Sequence, residues 1–221
     1  MEIWLDTSHV KLVAKENSLG IIEGVTTNPT IISASSLPPD ELIQELLEAQ
    51  RGWLAVQVLA EDAKRIYEEA KDLHELSPRI LVKIPVTREG LRAIHALNKE
   101  KVPTLATAIF EARQALLAFK AGARYLAVYL GKIADTGKNP FESLHDIHTM
   151  KEHYNFSGKI MGAGIRDLNM AMGCVKMGIC AITLPDKVYE ELTRDYPPTL
   201  LALKDFAESW SKLGGGIVNS Q

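Results

Sequence analysis

The strongest constraint on the fold is an alternation. Short β-rich runs fall at residues 3–6, 24–27, 54–59, 80–84, 104–109, 125–130, 159–164 and 181–184. Helical patterns separate most of them, most clearly over 39–50, 61–76 and 110–121. Strands alternating with helices of this length form βαβ units, and those crossovers demand a parallel sheet. Pro38-Pro39-Asp40 suits a helix start, because proline tolerates the first turn and an acid complements its positive end. Gly122 suits a helix stop ahead of the run at 125, where a left-handed cap favours a residue without a side chain. Eight such units within 221 residues predict an α/β chain folded as a single (β/α)8 TIM barrel with a C-terminal helix. An open doubly wound sheet is the competitor, but no GxGxxG follows the first strand and no Walker A sequence occurs. One barrel domain is expected over 1–221, with Gly214-Gly215-Gly216 ending the last helix and starting a flexible tail over 214–221.

Charge and hydropathy narrow the function classes. Lys plus Arg number 25 and Asp plus Glu 28, a formal charge of −3. That balance argues against nucleic acid as a partner, since coating it requires a basic surface. No stretch approaches the roughly 18 consecutive apolar residues of a membrane span. The start Met1-Glu2-Ile3-Trp4-Leu5-Asp6 has no basic region and no long apolar core, so it does not read as a signal peptide. The expectation is a cytoplasmic protein with no membrane partner. Cys174 and Cys180 are too few for a disulfide framework, and their spacing fails the CxxC pattern, so they read as buried thiols.

Barrel enzymes place their chemistry at the C-terminal ends of the strands. There the first strand ends in Asp6-Thr7-Ser8, and the second runs Gly24-Val25-Thr26-Thr27-Asn28-Pro29-Thr30. The third strand carries Gln57, the fourth Lys83, the fifth Thr104 and Thr107, the sixth Tyr129, and the seventh reaches Gly164-Ile165-Arg166. Packing alone does not account for seven consecutive strands with polar groups or glycines at one end. Lys83 is the sharpest of these, because it interrupts the apolar run Ile80-Leu81-Val82-Lys83-Ile84 in a strand covered on both sides. A buried ammonium is costly unless paired, and one escape is a lowered pKa that leaves a neutral, nucleophilic amine. Such an amine forms Schiff bases with carbonyls. The competing reading is a lysine that snorkels past the strand end or sits in a structural ion pair.

Other features read as structural. His145 and His148 share a helix face with His153 nearby, but a barrel helix there faces solvent, and a metal is not expected. The charged stretch 61–71 is a solvated helix face. Phe206, Trp210 and Leu213 form an apolar stripe, either core packing or a subunit contact.

Leu5-Asp6-Thr7, Gly24-Val25-Thr26-Thr27-Asn28-Pro29, the run from Leu81 to Gly90 containing Val82-Lys83-Ile84-Pro85-Val86-Thr87, and Ala181-Ile182-Thr183-Leu184-Pro185 resemble the transaldolase family. The similarity runs nearly end to end and is closest to the short-chain branch that contains the fructose-6-phosphate aldolases. The resemblance implies a (β/α)8 barrel with a Schiff-base lysine on the fourth strand, where Lys83 falls. It implies that Lys83 attacks a ketose C2, that Asp6 assists proton transfer and that Thr107 helps hold the catalytic water. Thr26 and Asn28 match positions lining the substrate hydroxyls. Transaldolases carry glutamate on the third strand and phenylalanine on the sixth, whereas the aldolases carry glutamine and tyrosine, as this chain does with Gln57 and Tyr129. A tyrosine hydroxyl can help protonate the enamine left after cleavage, and a phenylalanine cannot.

The resemblance thus implies cleavage of fructose 6-phosphate to dihydroxyacetone and glyceraldehyde 3-phosphate, with transfer of the three-carbon unit between sugar phosphates of the pentose phosphate pathway as the alternative. A non-catalytic sugar-phosphate binding protein is a third reading. Sugar phosphates are the implied partners, no cofactor or metal is required, and family analogy implies a homo-oligomer, pentamer or decamer. The chain departs from the pattern at the phosphate end. Gly131-Lys132 replaces an Asn-Arg or Gly-Arg pair, and Ala163-Gly164-Ile165-Arg166 lacks the usual serine. Lys132 and Arg166 still supply two positive charges, but lysine is a point charge rather than a fork. That weakens the site and leaves room for a non-phosphorylated partner.

Overall fold

The computed structural model describes residues 1–212. Leu213 and the 214–221 tail of the sequence reading lie outside the described residues. The strands are β1 (Glu2–Asp6), β2 (Ile22–Thr26), β3 (Trp53–Gln57), β4 (Ile80–Pro85), β5 (Thr104–Ile109), β6 (Tyr125–Tyr129), β7 (Lys159–Ala163) and β8 (Ala181–Leu184). In the described residues all eight pair in parallel, each with its sequence neighbours, and β8 closes on β1. The first helices are α1 (Val10–Asn17), α2 (Pro29–Ser33), α3 (Pro39–Ala49), α4 (Ala63–Leu76), α5 (Arg88–Lys99) and α6 (Ala112–Ala121). They are followed by α7 (Leu130–Asp135), α8 (Pro140–Tyr154), α9 (Leu168–Lys176), α10 (Asp186–Thr193) and α11 (Pro197–Ser211). The chain divides into two compact units, Met1–Tyr189, which holds the barrel, and Glu190–Gln221, which holds α11. Among the described residues no helix is long and apolar enough to cross a membrane.

Capping chemistry fixes the boundaries that periodicity left loose. The helix read from 61 starts at Ala63, because the Asp62 side chain accepts from the Arg65 amide at 3.0 Å. The helix read from 110 starts at Ala112, behind a reciprocal Glu111–Gln114 capping box. Gly122 ends α6 with φ of 92°, the left-handed cap its position suggested. The seventh strand stops at Ala163 rather than Gly164, which turns the chain with φ of 64°.

Side chains alternate across a strand, and this sorts the barrel into an inside and an outside. Leu54, Val56, Ile80, Val82, Ile84, Leu126 and Val128 are buried and alternate with the inward residues, so they face the helices. The inward positions form a plug of Trp4, Ala55, Leu81, Leu105, Tyr125, Ala127, Met161 and Ala181, with Trp53 packed against it. Trp4 is fully buried and meets the Tyr125 ring edge-on at 5.3 Å. At the floor, the Glu2 carboxylate accepts from Trp4 Nε1 at 3.2 Å and from the Tyr125 hydroxyl at 2.9 Å, and it pairs with Lys159. Burial pushes the Glu2 carboxyl upward, but the hydrogen bonds from Lys159, Tyr125 and Trp4 outweigh it and leave the group below its ordinary value.

Gly24 makes the plug possible. A Cβ there would lie 2.4 Å from the Trp53 carbonyl oxygen and 2.8 Å from the Trp4 ring. Gly24→Ala is therefore expected to overpack the barrel at a cost of roughly 1–3 kcal/mol, read as a lower urea midpoint. An unchanged midpoint would mean that Trp4 does not depend on this gap.

Candidate active site

One step above the plug, the inward positions turn polar. Asp6 follows Trp4 by two residues, Thr26 follows Gly24, Lys83 follows Leu81, Thr107 follows Leu105, Tyr129 follows Ala127 and Thr183 follows Ala181. The result is a cavity of about 190 Å³ at the C-terminal mouth, whose wall includes Asp6, Thr26, Asn28, Lys83, Tyr129 and Lys132. The strand-end rule thus places six of the nine candidate residues on one cavity wall.

Lys83 is 4 % exposed, and its Nζ donates to the Thr27 carbonyl at 3.0 Å. It points into the barrel, so the snorkelling alternative does not hold. That carbonyl is itself fixed, because the Thr27 amide and hydroxyl both donate to the Ala55 carbonyl on β3, at 3.0 and 2.8 Å. Every residue of Thr26-Thr27-Asn28-Pro29 has a distinct task. Thr26 faces the cavity, Thr27 presents an acceptor to Lys83, Asn28 caps α2 through the Ile31 amide at 2.9 Å, and Pro29 opens that helix. Asn28 thus makes the turn into α2 and also lines the cavity.

Asp6 accepts from the Thr26 hydroxyl at 2.6 Å, and Thr26 lies 2.7 Å from the Thr183 hydroxyl. Because Thr26 has one proton and gives it to Asp6, Thr183 donates to Thr26. The chain of hydroxyls ends on the carboxylate. Burial raises the Asp6 carboxyl above its ordinary range; the Lys83 charge and the Thr26 hydrogen bond pull it back without cancelling the effect, and Asp186 adds a small upward push.

Across the mouth, the Thr107 hydroxyl donates to the Tyr129 oxygen at 3.0 Å, and Phe110 meets the Tyr129 ring edge-on at 5.8 Å. Thr107 reaches this position through an irregular strand end. The β5–β6 register shifts between Ala106 and Ile109, and Ala108 has φ of 58°, a left-handed conformation unusual for alanine.

Three candidate residues are not on the cavity wall. Thr107 acts through Tyr129. Gln57 is the register partner of Lys83 but lines two other grooves, both shared with Leu59. Arg166 sits at the rim, paired with Asp135 at 2.6 Å. Thr104, grouped with Thr107 in the sequence reading, begins β5 and so lies at the opposite end of the barrel. Sequence reasoning missed Thr183, although a lone threonine in an apolar strand is the same signal that marked Lys83. It also missed Asp135, for which nothing local in the sequence stands out.

The family model "Transaldolase/Fructose-6-phosphate aldolase" matches residues 3–215. A protein named probable transaldolase from Coprothermobacter proteolyticus is 35% identical over 215 residues, covering 97% of this chain and 99% of that one. Another, from Streptococcus pyogenes serotype M5, is 35% identical over 211 residues, covering 96% and 98% respectively. Among solved structures, a flavocytochrome b2 variant with benzoylformate matches with a TM-score of 0.58 at 15% identity, over 83% of this chain and 56% of that one, which speaks to the barrel fold alone. The family match over nearly the whole chain, joined to a buried lysine on the fourth strand of a closed barrel, makes this chain a member of the transaldolase/fructose-6-phosphate aldolase family and an enzyme, lyase or transferase, of that kind.

Proposed function

We propose that the protein is a lysine Schiff-base aldolase that reversibly cleaves fructose 6-phosphate to dihydroxyacetone and glyceraldehyde 3-phosphate. The observation that carries this reading is the Thr107–Tyr129 hydroxyl pair bordering the cavity that contains Lys83. The Lys83 amine attacks the C2 ketone, and loss of water leaves an iminium that withdraws electrons from the C3–C4 bond. Asp6 accepts the C4 hydroxyl proton as that bond breaks and the aldehyde departs, leaving an enamine on Lys83. A carboxyl whose proton affinity is raised by burial is suited to that step. With Thr107 donating to its oxygen, Tyr129 keeps its own proton for C3 of the enamine, directly or through a water. Water then adds at C2, and dihydroxyacetone and the free amine are released. Lys132 attracts the phosphoryl group from the rim.

Transfer to a second aldose is the other reading, and the relatives named probable transaldolase favour it. The two share every step up to the enamine and differ in what intercepts it, a proton or an aldehyde. Gln57 and Tyr129 favour the proton.

Borohydride with fructose 6-phosphate is expected to leave a reduced adduct on the wild-type protein and none on Lys83→Met, by intact mass. No adduct on the wild type would remove the Schiff-base reading. Fructose 6-phosphate alone is expected to yield dihydroxyacetone; strict dependence on added erythrose 4-phosphate would assign transfer instead. Tyr129→Phe is expected to cut dihydroxyacetone release by on the order of 10²-fold while still forming the adduct, and equal release would exclude Tyr129 as the proton source. Since cleavage needs Asp6 ionised and its pKa is raised, kcat/KM is expected to fall with acid at a pH above the ordinary aspartate value of about 3.9, and Asp6→Asn should lose on the order of 10²–10⁴-fold in kcat. An acid limb at or below that ordinary value in the pH–rate profile would contradict the role given to burial.

A further inference from the structure

The rim where a phosphoryl group would dock is already partly neutralised. Lys132 lies on α7 and borders the cavity, and one turn later the same helix ends at Asp135. The Arg166 guanidinium donates through Nη2 to Asp135 Oδ2 at 2.6 Å, with both side chains about half exposed. Two glycines permit this approach. A Cβ on Gly131 would lie 2.8 Å from Arg166 Nε and 2.4 Å from the Gly164 carbonyl oxygen, to which the Gly131 amide donates at 3.2 Å. Gly164 takes a left-handed turn with φ of 64°, which carries the chain from β7 into the segment bearing Arg166. The hydrogen bond from Arg166 holds the Asp135 carboxyl below its ordinary range, and the Lys132 charge acts in the same direction, so Asp135 is ionised at neutral pH. Lys132 and Arg166 give +2 and Asp135 gives −1, so an incoming dianion meets a net +1.

We propose that Asp135 is a specificity-determining residue: it holds Arg166 in a pair that a phosphoryl group must open, so the site separates phosphorylated from unphosphorylated aldehydes less sharply than its two cations alone would. A phosphate that docks here exchanges one carboxylate for one phosphate on Arg166, and part of the attraction is spent on that exchange. An uncharged hydroxymethyl terminus leaves the pair intact. This rests on the preceding section only for which end of the substrate points at Lys83.

The test compares glyceraldehyde 3-phosphate with glyceraldehyde as partners of dihydroxyacetone, in the wild type, Asp135→Asn and Asp135→Glu. Because a half-exposed ion pair is a modest competitor, Asp135→Asn is expected to raise the phosphorylated-to-unphosphorylated ratio of kcat/KM by about two- to fivefold, through the KM of the phosphorylated aldehyde. Asp135→Glu keeps the charge and is expected to stay near the wild-type ratio. In an Arg166→Met background the same Asp135→Asn change is expected to have little further effect, because the pair is already absent. An unchanged or lower ratio in Asp135→Asn, or an equal rise without Arg166, overturns the proposal. Borohydride trapping with dihydroxyacetone, which carries no phosphate, reports the Schiff-base reading separately. If it yields no adduct, that reading falls, and inorganic phosphate binding followed by 31P line broadening decides Asp135 alone. Tighter phosphate binding in Asp135→Asn sustains its role, and equal or weaker binding overturns it.

Discussion

The chemistry of this protein depends on strand register. Closure of β1 against β8, with Trp4 opposite Thr183 and Leu5 opposite Leu184, locks eight two-residue alternations into one set of layers. A slip of one residue in any strand would turn its inward side chain toward the helices. The apolar plug below holds that register, and Trp4, fully buried in the gap left by Gly24, is its largest member. Because the plug fills the lower inward positions, the next ones reach the open mouth, where polar groups can be hydrated or bind a ligand. The plug and the site are therefore two levels of one alternation.

That second layer is costly to build. Lys83, Thr26, Thr107 and Thr183 are all at most 4 % exposed, and a polar group so buried needs a partner. The partners come from other strands and from the turns that follow them. The Thr27 carbonyl holds Lys83, the Thr183–Thr26 hydroxyl chain ends on Asp6, and Thr107 meets Tyr129. The burial of Asp6 is incompletely offset, and its raised proton affinity is the useful consequence. Backbone strain is also present there, with Ala108 in a left-handed conformation beside Thr107.

The rim is organised differently from the mouth. Its charges are half exposed and belong to α7 and to the segment after β7, so they can rearrange without disturbing the barrel. Selectivity for a charged substrate terminus can thus vary through Asp135, Arg166 and Lys132 while the buried lysine and its partners stay fixed.

Much of this architecture is legible in the residues themselves. The alternation of apolar runs with helical patterns specifies a parallel barrel, because only crossovers bury strands on both faces. A lysine in an apolar strand marks the centre of the site, since nothing but a partner or a reaction compensates its burial. Thr183 carries the same mark within Ala181-Ile182-Thr183-Leu184. The exact helix starts were less legible, because caps such as Asp62 and the Glu111–Gln114 box act over three residues and override periodicity. What only the tertiary structure decided is which polar groups meet. Gln57 sits in register with Lys83 yet lines other grooves than the lysine's cavity, while Arg166 bends over two glycines to a carboxylate 31 positions earlier. Sequence spacing determines which side of a strand a residue occupies, but meetings between distant loops depend on backbone close approaches that no local pattern encodes.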